Sequence, residues 1–385
     1  MQINIKRLFL LFVLATGLLQ SCRKDDEVLP PTTTPVTPGS SGVVAGFFLL
    51  NEGNMGTNKA SLDYFDYATG NYSRNIYGSR NPDIVKELGD VGNDIQIYGD
   101  KLYAVINYSN FIEVMDVHTA KHIATIPIPN CRYIVFDKGF AYVSSYAGPV
   151  ELDPNSRRGY VAKIDTASLT VLDTCVVGYQ PEQMVVRDNK LYVANSGGYR
   201  VPNYDNTVSV IDLGAFKEEK KIQVAINLLN MAVDSHGDIY VGSRGDYGDT
   251  PSNIYVIDKD DKVSAPLGVA VNSMTIAGDS LYIISSAWSN VEASNTISYS
   301  IVNTESKKVV ADKFITDGTE AKITLLFGIA VNPATKEILV TDVGNYVEPG
   351  RLYCFSPEGK LKWDIETGDI PAHIAFTHIQ LREAN

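Results

Sequence analysis

The chain has 385 residues, 44% hydrophobic and 20% charged, which is the composition of folded globular material rather than of a disordered or fibrous protein. Asp and Glu outnumber Lys and Arg by 45 to 33, a net charge of −12, which argues against a nucleic-acid partner because phosphate binding needs a clustered positive excess. Four cysteines in this length do not make a disulfide scaffold.

Residues 1–21 read as a targeting signal. Lys6 and Arg7 form a charged n-region, and Leu8 to Leu19 is an apolar run too short to span a bilayer as a helix. The segment Leu19-Gln20-Ser21-Cys22 resembles a bacterial lipobox, which implies cleavage before Cys22 and lipidation there. Arg23-Lys24-Asp25-Asp26-Glu27 is similar to the export signal of surface lipoproteins in one Gram-negative phylum, implying display on the extracellular face of the outer membrane. Loss of residues 1–21 removes Lys6 and Arg7 and leaves a mature charge of −14. Residues 22–43, rich in Pro and Thr, read as a lipidated cysteine and an extended, unpaired tether.

From residue 44 to 385 one phrase recurs: an apolar strand, a tight polar turn, then an aromatic strand. Copies include Leu102-Tyr103-Ala104-Val105, Ala141-Tyr142-Val143, Leu191-Tyr192-Val193, Ile239-Tyr240-Val241, Leu281-Tyr282-Ile283 and Ile338-Leu339-Val340. A second alternating strand follows, often ending in Asp, as at Asp116, Asp165, Asp212 and Asp258, and then a fourth strand. Repeats of roughly 40–55 residues built from alternating strands predict an all-β, seven-bladed β-propeller of four-stranded antiparallel blades. The first copy, Phe47–Leu50, lacks a leading strand, and Ile374-Ala375-Phe376 at the other end lacks a partner. Pairing the two closes the ring with the C-terminal strand and removes both free edges.

Cys131, Cys175 and Cys354 read as small buried thiols, and the five histidines do not cluster. His118, His122 and His236 fall in turns on the face away from the long loops, and His373 precedes the closing strand, where it could look into the channel. No Gly-rich phosphate loop, His-Glu-x-x-His, Cys-x-x-Cys or nucleophile elbow is present. Glu52, Asn93, Asp94 and Asn195 could be pressed into the calcium set of a propeller lactonase, but they do not recur as such a set. The expectation is a protein that is not an enzyme and carries no resident cofactor or metal.

The loops joining second to third strands are long and unequal, near 51–59, 107–111, 146–158, 196–206, 244–252, 287–295 and 344–350. Long loops on a rigid scaffold are where function concentrates. With the loops joining fourth to first strands, they offer Asn54, Tyr108, Arg132, Tyr146, Tyr199, Tyr204, Arg244, Tyr247, Trp288, Phe327 and Tyr346 as candidate ligand-binding residues. Tyr and Trp give rigid contact area, and Asn and Arg give directed hydrogen bonds, which suits a bulky, polar-edged, partly flat ligand.

Leu50-Asn51-Glu52-Gly53-Asn54, the lipobox with its acidic follower, and the seven Leu-Tyr-Val-type copies resemble the YncE-like class of surface lipoprotein propellers. Within that class the chain is most similar to the BtuG-type lipoproteins of cobalamin uptake. The resemblance implies capture of cobalamin or a related corrinoid as ligand, and handover to a TonB-dependent outer-membrane transporter. A surface glycan-binding propeller and a protein-interaction scaffold are the competing expectations, the first predicting a shallow aromatic platform and the second a flat apolar patch.

Overall fold

The structure is a computed structural model that describes residues 30–84, 87–289 and 294–382. Seven sheets stand around one axis. Their inner strands, in order, are Pro371–Thr377, Gly92–Tyr98, Cys131–Asp137, Pro181–Arg187, Leu228–Val233, Ser273–Ala277 and Leu326–Val331, and each packs against the next until the ring closes. The closing strand Pro371–Thr377 pairs with Gly46–Asn51 as expected, with Phe47 opposite Phe376 and Leu49 opposite Ile374.

Local chemistry explains the repeat. Asp188 and Asn189 both take positive φ, the two-residue turn whose twist matches paired strands. The Asp that ends the third strand caps its own turn: Asp116 Oδ1 accepts from the backbone of His118 at 3.0 Å, and Asp212 Oδ1 from that of Ala215 at 2.6 Å. The recurrent tyrosine is buried between blades. Tyr103 meets Phe136 of the next blade with ring centres 4.9 Å apart, and Tyr142 meets Phe216 at 5.8 Å. Tyr240 sends its hydroxyl to the Thr304 carbonyl of the following blade at 3.0 Å. A ring buried on both faces with a hydroxyl at its tip suits a seam that is apolar inside and polar at its end. Cys131, Cys175 and Cys354 are free, buried thiols, and burial pushes all three above the ordinary thiol range.

The blades depart from uniformity in three places. Blade one carries a fifth strand, Thr32–Pro35, paired antiparallel with Asn71–Arg74. The expectation of unpaired tether through residue 43 is therefore corrected. Extended Thr-rich backbone is ready-made edge-strand material, and Pro35 sits at its end, where the missing N–H costs little. Blade five has three regular strands, and its outer edge, Asn253–Ile257, is covered by an irregular segment through the Ile257–Val263 bridge and the bonds of Ser264 N to Val256 O and Leu267 N to Ile254 O. In blade six the expected loop 287–295 is largely a long hairpin, Ser280–Ser289 against Ser294–Asn303. His373 lies within the closing strand and not before it.

Candidate functional site

Each inner strand starts on the face that carries the long loops. In six of the seven blades its first residues break register with the second strand, for example between Pro181 and Met184 and between Leu228 and Met231. Such bulges re-aim side chains. They place Asn93, Arg132, Glu182, Leu229, Phe327 and Ala372 at equivalent positions around the channel mouth, two residues before Ile95, Ile134, Met184, Met231, Ile329 and Ile374 of their inner strands. The residue between ties one blade to the next. Asp94 Oδ2 accepts from Ile134 N at 3.0 Å, and Gln183 Oε1 from Met231 N at 2.9 Å.

The mouth is organised by Glu182, whose side chain is fully buried. Its Oε1 accepts from Tyr146 Oη at 2.5 Å and from Arg244 Nη2 at 3.2 Å, and its Oε2 accepts from Arg132 Nε at 3.2 Å. Arg132 lies over the Tyr146 ring, 4.8 Å from its centre, and Tyr146 meets Tyr199 edge-on at 6.2 Å. Arg244 Nε donates to Asn227 Oδ1 at 3.1 Å. Burial works against the charge of both arginines, but Glu182 together with the surrounding tyrosines outweighs it and holds their pKa above the usual range. Burial raises the Tyr146 phenol, so it stays protonated and remains a donor to the carboxylate. A paired, fully hydrogen-bonded buried carboxylate of this kind is costly to disrupt. Beside the cluster a cavity of about 260 Å³ opens between Tyr146, Pro149, Glu151, Asp153, Arg157 and Gln180.

An acidic side completes the mouth. His373 Nε2 lies 3.1 Å from Glu52 Oε1, and the His373 and Tyr133 rings meet edge-on at 6.4 Å. Asp94 is buried, and desolvation raises its pKa despite the nearby His373 and the hydrogen bonds it accepts.

Of the residues singled out in the sequence, the structure joins Arg132, Tyr146, Tyr199 and Arg244 through Glu182. Tyr204 lies near Arg244, Asp246 and Tyr247, with Tyr247 itself 74% exposed. A second group forms between blades seven and one, where Asn54 Nδ2 donates to the Tyr346 carbonyl at 2.5 Å and Tyr346 meets Phe327 edge-on at 6.2 Å. Tyr108 stands apart, half exposed on a tight turn. Trp288 belongs to a strand and not to a loop, and its side chain lies outside the described residues. Cys22 also lies outside them. Glu52, Asn93, Asp94 and Asn195 are each engaged separately, Asn195 with Gly178, Thr207 and Ser209. Sequence reasoning missed Glu182 and Tyr133. Aligning the repeats on Ile134 and Met184 puts Glu182 in register with Arg132, which is the signal that finds it.

Residues 45–376 match the family model described as Domain of unknown function (DUF5074). The chain belongs to that family. Among curated proteins no match is found. Solved structures share the propeller of this DUF5074 chain. A quinonprotein alcohol dehydrogenase-like protein from Bacteroides thetaiotaomicron VPI-5482 is 16% identical, with 87% of this chain and 78% of that one covered and a TM-score of 0.59. A functionally unknown protein from Desulfotomaculum acetoxidans DSM 771 is 11% identical, with 86% and 99% covered and a TM-score of 0.60. Hydrazine synthase from Kuenenia stuttgartiensis is 15% identical over 69% and 77%, with a TM-score of 0.55. Likeness at these identities shows the fold alone.

Proposed function

We propose that this DUF5074 propeller is a surface lipoprotein that captures cobalamin or a related corrinoid at its channel mouth and passes it to a TonB-dependent outer-membrane transporter, without catalysis. The observation that carries the reading is the Arg132–Glu182–Arg244 cluster, walled by Tyr146 and Tyr199, with Arg132 and Glu182 set on inner strands. A corrin has a broad flat body edged with amides. Aromatic faces accept the body, and Arg, Asn and Gln donors match the edge. A site already held by its own hydrogen bonds loses little entropy when it binds, which favours high affinity.

Two further features support the reading. Exposed apolar side chains stand on the long loops, among them Met55, Leu152, Val201, Tyr247 and Val347, and suit the buried part of a protein-facing surface. The strand Thr32–Pro35 runs with Thr32 beside Arg74, so the chain joins blade one from the loop-face side. With lipidation at Cys22, residues 23–31 span at most about 30 Å, which keeps the loop face close to the membrane and its transporters.

The test is a titration of the soluble chain from residue 23 with cyanocobalamin, following corrin absorbance through a desalting column. Co-elution at one ligand per protein is expected. Absence of retention at micromolar concentrations overturns the reading, and oligosaccharide binding in its place would favour a glycan receptor.

A further inference from the structure

We infer that Arg132 and Arg244 form a receptor for a singly charged oxyanion, and that its natural occupant is a phosphodiester. Arg132 commits Nε to Glu182 and lays its guanidinium on Tyr146, and its two terminal nitrogens have no acceptor among the described residues. Arg244 commits Nε to Asn227 and Nη2 to Glu182, and its Nη1 is likewise without one. Neither set is sealed in: the side chains are 14% and 22% exposed. The hydroxyls of Tyr133 and Tyr199 also have no partner among the described residues and are not sealed from solvent. Buried or half-buried donors normally find acceptors. Here several converge on one mouth and are left over, in a planar forked geometry that fits an oxyanion.

Charge sets the class. Two guanidinium groups against one carboxylate leave a local excess of one positive charge. Beyond Tyr133 stand Glu52 and Asp94, which with Glu182 press on its hydroxyl. A monoanion is therefore balanced, while a dianionic phosphate monoester meets uncompensated repulsion. The side of the mouth bearing Glu52 and Asp94 suits the opposite, positive end of a ligand with separated charges. A corrinoid with its nucleotide loop has that character, a phosphodiester on the loop and a positive metal centre. This extension rests on the capture reading, whereas the oxyanion receptor does not.

The experiment compares cyanocobalamin with dicyanocobinamide, which keeps the corrin but lacks the nucleotide loop and its phosphodiester. Calorimetry on the wild-type chain, Arg244→Gln and Arg244→Lys reads both affinities. The expected result is a preference for cyanocobalamin that falls about 10- to 100-fold in either variant, cyanocobalamin losing more affinity than dicyanocobinamide. Arg244→Lys keeps a positive charge beside Glu182 and so preserves the test if Arg244→Gln does not fold. Equal affinities for the two corrinoids, or equal losses for both, overturn the receptor and leave capture standing. If neither corrinoid binds the wild-type chain, capture fails and dimethyl phosphate decides the receptor. It should then raise the melting temperature of the wild-type chain beyond sodium chloride of matched ionic strength, and not that of Arg244→Lys. Equal shifts in both proteins overturn the inference.

Discussion

Tyr146 donates its hydroxyl to Glu182 at 2.5 Å across the seam between blades three and four. The same carboxylate receives Arg132 from blade three and Arg244 from blade five, so three blades converge on one buried anion. Glu182 is thus both a seam and the floor of the mouth. Glu182→Ala strands two cations and should cost about 3–5 kcal/mol, the range for breaking a buried pair by removing one partner. Glu182→Gln keeps the shape and should cost less. Urea midpoints of the two variants check this, and an alanine variant as stable as the glutamine one would refute the pairing.

Gly198 illustrates how close the packing around Arg244 is. A Cβ there would stand 2.8 Å from Arg244 Nη2 and 3.1 Å from Asn227 Oδ1. The obstructed atom is the end of a flexible side chain, so the side chain yields before the backbone does. Gly198→Ala is therefore expected to displace the guanidinium from Glu182 and to lower the urea midpoint by less than Glu182→Ala, because Arg132 still pairs with the carboxylate. Ligand binding at the mouth should weaken about tenfold, as for loss of one charged hydrogen bond. A large stability loss with intact binding would show that the loop backbone yields instead.

Acidity gives a third test. Burial raises the pKa of Asp94 above the usual carboxylate range despite the bonds it accepts from Ile95, Gln96 and Ile134. A raised value means the folded chain takes up this proton more readily than the unfolded one. The group's contribution to stability is then full below the ordinary carboxylate pKa and is lost as pH rises through the folded value. Relative to Asp94→Asn, the wild-type chain should gain stability as pH falls from 7 towards 4. Urea titrations of both proteins at pH 7, 5.5 and 4.5 report the sign, and a gap moving the other way would contradict the burial argument.

The strand at the N-terminus makes a fourth. A chain starting at residue 43 loses the pairing of Thr32–Pro35 with Asn71–Arg74 and leaves that edge bare. The strand's own side chains are exposed, so the apolar burial lost is mainly that of Val36, which packs beside Phe47, Phe65 and Trp363. The expected cost is about 1–2 kcal/mol, from a few backbone bonds each worth about 0.5–1.5 kcal/mol. Hydrogen exchange should show the amides of Asn71–Arg74 less protected in the shortened chain than in one starting at residue 30. Unchanged protection would mean the strand does not pair in solution.

The ring was legible because its signals are local. Alternation, two-residue turns and a recurring buried tyrosine each act within one blade, and the orphan strands at Phe47–Leu50 and Ile374–Phe376 fix the closure. The site was legible only in part. Arg132, Tyr146, Tyr199 and Arg244 stand out as loop residues of suitable chemistry, but what joins them is Glu182, which sits at the start of an inner strand and reads locally as an ordinary edge carboxylate. The bulge that aims it depends on pairing across the sheet and leaves no mark in a single strand. Blade five misleads for a related reason. The segment Val263–Leu267 takes the place of a fourth strand without its regular pairing, and only its contacts with Ile254 and Val256 reveal that.

What holds blade five to its neighbour follows from that irregular edge. Arg187 of blade four is 7% exposed and donates to the carbonyls of Gly237 and Asp258, each at 2.9 Å, to Tyr192 Oη at 2.5 Å and to Asp261. Lys220 pairs with the other Asp261 oxygen at 2.6 Å. The guanidinium thus satisfies two turns of blade five at once, and its plane lies over the Tyr192 ring at 4.4 Å. A lysine reaches with one point charge and cannot make the fork or the stack. Arg187→Lys should therefore cost about 2–3 kcal/mol, nearly as much as Arg187→Ala, because the buried carbonyls lose their donors in either case. Urea unfolding of the two variants, with hydrogen exchange across residues 234–262, checks both size and place. A lysine variant as stable as the wild type would show that charge alone, and not the forked geometry, joins these two blades.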